Sequence, residues 1–315
     1  MPPLSALTDD IGLSKNSVKI ARMQQILVST SQSVVRLDMI NPWQATLIAS
    51  GAGLYYGLAP TPQGTVWVAA RHSQVSDGID SADESGRLYE LGAQGLIPHP
   101  LSELPLRDLH GLAMHRDSVW LTCSHDDGVA IYQPATQDWC WWYPLGLPDP
   151  KNPDQSHFNT LRFEGDLVWV VAHCRGPSWL LAFPIEAALR GETPPPTHRI
   201  QLGQQAHNLW RHSDGALCTC SSIEGRLISE SGWELKTGGF PRGIARLPDG
   251  WVVGVSALKE RQERDLSDAK LQFYSHNWQL QREIVLPRVG MVLEIVAIPE
   301  GLQLPNVGEL RLAAG

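Results

Sequence analysis

The sequence predicts an all-β protein whose strands form a six-bladed β-propeller, and three observations support this fold class. A motif of a polar or aromatic residue, a small or polar residue and an aliphatic residue opens an apolar run six times. Neighbouring copies lie roughly 35 to 54 positions apart, which is the period of propeller blades. Each copy is followed by a turn and a second apolar run, and the two chain ends supply complementary strands. The copies are Tyr56-Gly57-Leu58, His110-Gly111-Leu112, Asn159-Thr160-Leu161, His207-Asn208-Leu209, Arg242-Gly243-Ile244 and Leu293-Glu294-Ile295.

The segment after each copy predicts a hairpin. A turn rich in glycine, aspartate and proline separates the two apolar runs, and β-branched and aromatic residues fill the second run. Three of the second runs carry a tryptophan at the same place, in Val66-Trp67-Val68, Val119-Trp120-Leu121 and Val168-Trp169-Val170. Hairpins repeated in this way are expected to surround a common axis.

The two ends of the chain predict how the ring closes. Three strand-like runs, at residues 26–30, 34–38 and 45–48, precede the first full repeat. The last repeat contributes one strand, residues 292–297, and then decays into sequence without clear further strands. The C-terminal strand is therefore expected to be the innermost strand of a blade whose outer three strands come from the N-terminus, which leaves no unpaired edge. Residues 24–315 form one predicted propeller domain, and residues 1–23 form a polar lead-in.

Two segments depart from the strand pattern. Residues 184–191 predict a helical turn or two within the third blade, followed by three prolines. Residues 259–265 form a charge run that predicts a solvated loop or a short helix, with contact to a partner as the alternative.

Composition and charge exclude several function classes. The formal charge of −8 and the absence of a clustered basic stripe argue against nucleic-acid binding. No run of apolar residues is long enough to span a membrane, and the N-terminal residues lack the pattern of a secretory signal. We therefore expect a cytoplasmic protein. The five cysteines are odd in number and lie in apolar runs, as reduced core thiols do.

The aromatic cluster Trp139-Cys140-Trp141-Trp142-Tyr143 has two interpretations. Strand alternation would bury one set of its rings between blades. If Trp139 or Trp142 is exposed instead, the surface from Trp139 to Trp142 would contact a protein partner.

Polar side chains are expected to converge at one mouth of the central channel. In a propeller blade the innermost strand starts on the face where the second strand ends, so these two places from all blades surround one mouth. Six of the eleven histidines fall there. The candidate metal ligands among them are His72, His110, His125, His173 and His207. The candidate ligand-binding residues are Tyr56, Arg71, Asn159, Asn208 and Arg242.

This set of residue types predicts a site for a small ligand. Imidazoles are common ligands of zinc and iron, and converging imidazoles could hold zinc, iron or manganese with an open position for water or substrate. His157 and Glu294 are the candidate catalytic residues, since a carboxylate among apolar strands tends toward a raised pKa. The alternative for each histidine is a hydrogen-bonded structural role. Arg242 has two interpretations, a buried ion pair with Glu294 or a clamp on a carboxylate or phosphate.

Several segments resemble an uncharacterised bacterial propeller family that carries the DUF4915 domain. The resemblance is carried by Phe240-Pro241-Arg242-Gly243-Ile244-Ala245 with Val252-Val253-Gly254-Val255-Ser256, by Ile26-Leu27-Val28-Ser29-Thr30, by His157-Phe158-Asn159-Thr160-Leu161 and by Glu294-Ile295. It implies a six-bladed propeller and brings no established activity. The matching residues His157, Asn159, Arg242 and Glu294 are also predicted to lie at the channel mouth.

Three classes of function remain open from the sequence. The first is a protein that binds a small polar, anionic or peptidic ligand at the histidine-rich mouth, with metal-assisted lyase, hydrolase or isomerase chemistry. The second is a protein-interaction scaffold whose channel is only structural. The third is a gluconolactonase-like hydrolase, which is disfavoured because such enzymes hold calcium through oxygen ligands whereas this mouth is rich in imidazole.

Overall fold

A computed structural model describes residues 25–40, 42–71, 82–99, 105–298 and 302–314. The described chain folds into six antiparallel blades of four core strands each, which confirms the six-bladed β-propeller. The predicted lead-in, residues 1–23, lies outside the described residues.

The strands follow one another around the ring in chain order. Three strands precede the first complete blade, namely β1 (Gln25–Thr30), β2 (Ser33–Asp38) and β3 (Gln44–Ser50). Blade 1 contains β4 (Leu54–Pro60), β5 (Val66–Arg71), β6 (Arg87–Gly92) and β7 (Gly95–Pro98). Blade 2 contains β8 (Leu109–His115), β9 (Ser118–Cys123), β10 (Gly128–Gln133) and β11 (Asp138–Trp142). Blade 3 contains β12 (Phe158–Glu164), β13 (Leu167–Ala172), β14 (Pro177–Pro184) and β15 (His198–Gln204).

The second half of the ring repeats this arrangement. Blade 4 contains β16 (Ala206–Arg211), β17 (Leu217–Ser221), β18 (Arg226–Ser229) and β19 (Glu234–Lys236). Blade 5 contains β20 (Phe240–Leu247), β21 (Gly250–Ser256), β22 (Ala269–Ser275) and β23 (Leu280–Leu286). Blade 6 begins with its innermost strand, β24 (Val292–Ile298).

The ring closes as predicted. Strand β24 pairs antiparallel with β1, so blade 6 joins the last inner strand to the three N-terminal strands β1 to β3. The pairing runs from Gln25 opposite Ile298 to Ser29 opposite Glu294. Since both chain ends contribute to one sheet, the ring has no free inner edge.

The expectation that strands end after β24 is wrong. The C-terminal segment forms two short strands, β25 (Gly308–Leu310) on the outer edge of blade 6 and β26 (Ala313–Ala314) on the outer edge of blade 5. Strand β25 pairs with β3, and β26 pairs with β23. The segment thus crosses from one blade to its neighbour, and its glycine and alanines leave room for this edge pairing.

Both predicted irregular segments contain short helices. Helix α1 (Ile185–Leu189) follows β14, and helix α2 (Arg261–Arg264) lies within the charge run. A 3₁₀ turn at Ser222–Glu224 follows β17. No described helix is long and apolar enough to cross a membrane.

The repeated motif marks a β-bulge in each innermost strand. The pairing between the first and second strand shifts register at the motif in blades 1 to 5, for example between Tyr55 and Gly57. In blade 6 the shift lies between the partners Ser29–Glu294 and Thr30–Val292. A bulge bends and twists its strand, and it re-aims the neighbouring side chains. The six bulges therefore set the direction of the side chains that surround the channel.

Small residues at the bulges allow the inner strands to approach one another closely. A Cβ added to Gly57 would lie 2.4 Å from the Cβ of Leu112 in the next blade. A Cβ added to Gly111 would lie 2.6 Å from the carbonyl oxygen of Asn159. These contacts are shorter than real Cβ atoms show, so glycine is required at both positions for steric reasons.

Where the bulge residue is polar, its side chain joins neighbouring blades. The Thr160 hydroxyl accepts a hydrogen bond from the backbone N–H of Asn208 at 3.0 Å. The side-chain oxygen Oδ1 of Asn208 in turn accepts one from the backbone N–H of Gly243 at 2.7 Å. These bonds satisfy backbone groups that the bulge removes from the ladder.

Hydrophobic cores fill all six interfaces between blades. Each of the six largest buried apolar clusters joins side chains from two neighbouring blades. Trp142 belongs to the core between blades 2 and 3, where it is fully buried against Trp120 and Phe183. Trp142 is therefore core rather than surface, whereas Trp139 and Trp141 stay half-buried on the outer strand.

Substitution at a bulge glycine tests the close approach of the inner strands. We expect Gly111→Ala to lower the free energy of unfolding by about 1 to 3 kcal/mol, since the new methyl group must displace the backbone of Asn159. Gly92→Ala is the matched control, because its Cβ would meet only Thr65 at 3.6 Å. Urea unfolding of both variants measures the difference, and equal stabilities would contradict the steric argument.

Candidate functional site

A cavity of about 360 Å³ lies at the mouth of the channel. It forms where the inner strands start and the second strands end, as predicted. Of the sequence-predicted site residues, the cavity is lined by Tyr56, Arg71, His110, His157, His173, His207 and Arg242. All six blades contribute to its wall, because Met291 precedes the inner strand of blade 6.

The structure does not bring every predicted residue to this wall. Asn159, Asn208 and Glu294 lie on inner strands but are not among the residues that line the cavity. His125 lies in the turn between β9 and β10, and it does not line the cavity either. His72 lies outside the described residues.

Six aromatic rings form a continuous arc around the mouth. The ring centroids of His110 and His157 lie 4.7 Å apart, and those of His157 and His173 also lie 4.7 Å apart. His207 follows at 5.2 Å from His173. Tyr56 extends the arc at one end, 4.7 Å from His110, and Phe240 extends it at the other end, 5.6 Å from His207. Packing of this kind fixes the orientation of each imidazole.

Hydrogen bonds assign the proton of His110 to Nδ1. This nitrogen lies 2.9 Å from the Asp108 carbonyl oxygen, which can only accept, and 3.0 Å from the Ser124 hydroxyl. The Ser124 hydroxyl donates its own hydrogen to the carbonyl of Phe158 at 2.7 Å. His110 Nδ1 must therefore be the donor, which leaves the lone pair on Nε2.

His207 repeats this arrangement two blades away. Its Nδ1 lies 2.9 Å from the Ser222 hydroxyl, and its ring also bonds the backbone of Gln205. Ser222 donates its hydrogen to the Pro241 carbonyl at 2.7 Å. The proton of His207 is assigned to Nδ1 for the same reason, and its Nε2 carries the lone pair.

His157 is held by a carboxylate. Its Nδ1 lies 2.5 Å from Asp154 Oδ1, so Nδ1 donates and Nε2 carries the lone pair. Arg175 bonds the other oxygen of Asp154. The backbone of His157 is anchored by Asp127, whose carboxylate accepts from the amides of His157, Ser156 and Gln155 at 2.7 to 2.9 Å.

His173 has the opposite tautomer. Its Nδ1 accepts a hydrogen bond from the Arg175 amide at 3.1 Å, so the proton of the neutral ring is on Nε2. Burial, together with the charges of His157 and Arg242, lowers the pKa of His173 to about 2. This ring is a hydrogen-bond donor toward the cavity at neutral pH.

All four imidazoles are uncharged at neutral pH. Burial lowers the pKa of His110 and of His207, and the positive charge of Arg242 acts in the same direction on both. Burial also lowers the pKa of His157, although Asp108 and Asp127 raise it in part. The mouth thus presents three imidazole lone pairs and one N–H group.

Arg242 is a buried cation without a carboxylate partner. Its residue is 4% exposed, and among the described residues its side chain forms no hydrogen bond or ion pair. The guanidinium lies 5.0 Å from the centre of the Tyr56 ring, which stabilises it weakly. Burial lowers its pKa. Arg242 and Glu294 form no ion pair within 4.0 Å, although the charge of Glu294 raises the pKa of Arg242 and the charge of Arg242 lowers the pKa of Glu294.

Arg71 differs from Arg242 because it is fully paired. It bonds Glu84 and Asp108, both buried, and lies 3.4 Å from the Tyr56 hydroxyl. This group holds two carboxylates for one guanidinium, so Arg71 adds no excess positive charge to the cavity, and Arg242 is the buried cation of the wall that forms no ion pair among the described residues.

The lining of the cavity contains more basic than acidic side chains, although Arg71 and Arg175 are paired with carboxylates and the protein as a whole is acidic. Its lining includes five basic side chains and one carboxylate. The carboxylate is Asp108 and the basic residues are Arg71, Arg175, Arg242, Lys259 and Arg264. In a chain of formal charge −8 this concentration of positive charge favours an anionic ligand.

Glu294 lies on β24, the inner strand of blade 6, and is half-buried. Its Oε1 accepts from the Asn208 side chain at 3.3 Å and from the Ile295 amide at 3.1 Å. Burial raises its pKa from the ordinary value of 4.5 to about 7.

One group of side chains has the composition of a metal site. Asp108, His110 and His157 each offer a ligand atom, and these atoms lie within 4.8 Å of one another. Neither His173 nor His207 belongs to this group. Asp108 is already engaged by Arg71, so a metal ion would compete with that ion pair.

Several residues of the site were missed by sequence reasoning. Asp108 and Asp154 lie in connecting segments before β8 and β12, and both have backbone φ in the left-handed region, at 51° and 61°. Residues other than glycine rarely adopt this conformation, and such strain clusters at functional sites. The spacing of Asp154 and His157, three positions apart, was the available signal.

The fold resembles solved propellers at low sequence identity. A chain of a nidogen/laminin complex matches with a TM-score of 0.62 and 11% identity, over 87% of this chain and 98% of that chain. A protein of unknown function from Bacteroides caccae matches with a TM-score of 0.58 and 11% identity, over 86% and 97%. A putative 6-phosphogluconolactonase from Bacteroides fragilis matches with a TM-score of 0.54 and 11% identity, over 94% and 99%. These likenesses show the fold alone. No protein-family model and no curated protein matches the chain.

The raised pKa of Glu294 predicts a pH-dependent stability. The folded protein holds this proton up to about pH 7, whereas the unfolded chain releases it near 4.5. The raised pKa therefore adds about 2 to 3 kcal/mol to the free energy of unfolding. This stabilisation is fully present below pH 4.5 and is lost as the pH rises through 7. The four histidines have lowered pKa values in the folded protein, so their contribution to the free energy of unfolding rises with pH.

The Glu294→Gln variant isolates this effect, since Gln keeps the oxygen that accepts both hydrogen bonds. Denaturant unfolding of both proteins at intervals from pH 4.5 to 8 gives the difference in free energy. We expect the variant to gain about 2 to 3 kcal/mol relative to the wild type over this range. A difference that is constant with pH would show that Glu294 titrates normally.

Proposed function

We propose that the protein binds a small anion in the mouth of the channel and acts on it by acid–base chemistry, as a hydrolase or a lyase. The observation that carries the proposal is Arg242, a buried guanidinium without a carboxylate partner among the described residues. The cavity that it lines has more basic than acidic side chains and holds four neutral imidazoles.

The buried charge of Arg242 supports an anionic ligand. Burying an unpaired cation costs several kcal/mol, and a carboxylate or phosphate that bonds the guanidinium offsets this cost. The planar guanidinium offers parallel N–H groups that match either anion in a bidentate arrangement. These features favour the anion clamp of the two predicted roles of Arg242.

The imidazoles support additional polar groups on the ligand. The Nε2 atoms of His110, His157 and His207 carry lone pairs, so they accept hydrogen bonds from hydroxyl or N–H groups. His173 donates one. An anion that also carries hydroxyl or amide groups fits this pattern better than a bare inorganic ion.

His157 is the best general base of the site. Asp154 keeps the imidazole proton of His157 on Nδ1 and stabilises the imidazolium that forms when Nε2 takes a proton.

In hydrolysis the proton that Nε2 takes comes from water, and the water oxygen forms a bond to the electrophilic carbon. In elimination it comes from carbon, and the C–H electron pair forms the double bond. In both, the leaving group departs with its bonding pair and takes the proton from Nε2. Glu294 is not placed in this step, because it does not line the cavity.

A metal-assisted reaction is the second candidate, and the group of Asp108, His110 and His157 favours it. Both imidazoles donate Nδ1–H to oxygen acceptors, as metal-ligating histidines do. Zinc, iron or manganese bound there would acidify water. About one equivalent of metal in tag-free protein, lost on His157→Ala, would support this candidate. Less than about 0.1 equivalent would contradict it.

Binding of a simple anion tests the proposed function. We expect inorganic phosphate and acetate to bind the wild type, and the dissociation constant to rise about 10- to 100-fold in Arg242→Gln, since a charge-assisted bidentate contact is lost. Calorimetric titration at fixed ionic strength measures both proteins. Arg242→Lys keeps the charge and is expected to lie between them.

The control is Arg199→Gln. Arg199 packs over Trp179 at 4.1 Å, away from the cavity, so its loss should leave anion affinity unchanged. Thermal unfolding of each variant confirms that it is folded. Equal affinities in the wild type and both Arg242 variants would overturn the proposal.

A further inference from the structure

We infer that the ligand is an amphipathic monoanion, a carboxylate with an apolar aliphatic or aromatic substituent. This inference rests on the proposed function and assigns the substrate class of the same cavity. It follows from the unequal distribution of polar and apolar side chains around the mouth.

One side of the cavity is polar and is built by blades 1 to 3. Tyr56 and Arg71 come from blade 1, His110 from blade 2, and His157 and His173 from blade 3. Every one of these side chains has a hydrogen-bonding group. The hydrogen bonds described above offset the free-energy cost of burying these polar groups. This side suits the polar part of a ligand.

The other side, around blades 4 to 6, carries the apolar residues of the lining together with His207. Ile223, Phe240, Leu258 and Met291 line it. Ile223 follows the second strand of blade 4, and Leu258 follows the second strand of blade 5, so the two occupy equivalent places in neighbouring blades. Ile223 is 44% exposed and Leu258 is 62% exposed. Exposed aliphatic side chains that sit together on a cavity wall mark a binding surface for apolar groups.

Arg242 lies at the junction of the two sides. It follows Phe240 by two positions on β20, and its guanidinium reaches the Tyr56 ring at the polar side. An anionic group on Arg242 therefore has imidazoles on one flank and the apolar wall on the other. A ligand with one anionic group and one apolar substituent satisfies both flanks at once.

A polyanion fits this wall less well. Besides Arg242, Lys259 and Arg264 border the apolar side. Lys259 lies 4.0 Å from Glu263, and it is half-exposed, so its charge is partly compensated and well solvated. A second anionic group placed here would contact the aliphatic side chains of Ile223 and Leu258. Such a contact gives no hydrophobic contribution to the binding free energy.

A homologous series of carboxylates tests the inference. Acetate, butyrate, hexanoate and 3-phenylpropionate are titrated into the wild type and into the double variant Ile223→Ser, Leu258→Ser. In the wild type we expect affinity to rise about threefold for each added methylene. In the double variant the acetate affinity is expected to stay unchanged while the rise falls below about 1.5-fold per methylene.

Leu147→Ser is the matched control, because Leu147 is an exposed leucine at 81% that does not line the cavity. It should keep the threefold rise. Acetate binding with a flat series in the wild type would overturn this inference and leave the anion proposal intact. Failure of every carboxylate to bind the wild type while inorganic phosphate binds would overturn this inference alone, and failure of phosphate as well would overturn both. A steep series that persists in the double variant would show that the apolar wall is not the site.

Discussion

The close approach of six innermost strands at one axis is the constraint on which the rest of this structure depends. Each of these strands carries a bulge at the same place, and glycine or a hydrogen-bonding side chain occupies it. At Gly57 and Gly111 the next blade leaves no room for a Cβ atom. At Thr160 and Asn208 the side chain instead bonds the following blade. The residues on either side of the bulges are thereby directed into the channel mouth, and the functional site is a product of ring closure.

Burial at this mouth produces two opposite electrostatic outcomes. The imidazoles adapt to burial by losing charge, since a histidine can release its proton. Arg242 has no such route, because a guanidinium keeps its proton at any physiological pH. The result is one buried cation without an ion pair among the described residues, which faces four neutral rings and which Glu294 and Asp108 stabilise only from beyond ion-pair distance. An incoming anion is the partner that this arrangement accommodates at lowest cost, which links the ring architecture to the proposed chemistry.

Much of the fold could be predicted from sequence because it follows from periodicity. The repeat spacing gave the number of blades, and the strand-like runs at residues 26–48 with the run at 292–297 gave the closure. The two short C-terminal strands escaped prediction, because glycine, alanine and single apolar residues pair at an edge without an alternating pattern. Blade topology also correctly predicted that one mouth of the channel holds His110, His157, His173, His207 and Arg242.

The parts of the site that could not be predicted lie in loops. His125 and Asp127 occupy the same turn, yet only Asp127 reaches the segment that carries His157. Asp108 and Asp154 reach the imidazoles through left-handed backbone conformations that no residue pattern specifies. The sequence left two roles open for Arg242, an ion pair with Glu294 and a clamp on an anion. The choice depends on the distance between these two side chains, which the relative shift of two neighbouring inner strands along the axis sets. Strand periodicity does not determine that shift.

The most direct test of the central claim is the protonation state of the four mouth imidazoles, measured by nitrogen-15 NMR between pH 5.5 and 8. The account predicts that all four rings are uncharged at pH 7 and that His110, His173 and His207 stay uncharged over this whole range, because burial and Arg242 lower the pKa values. It also predicts the proton on Nδ1 in His110, His157 and His207, and on Nε2 in His173. A ring that carries a positive charge at pH 7, or a different set of tautomers, would contradict the account of this cavity as an anion site built from one cation and neutral imidazoles.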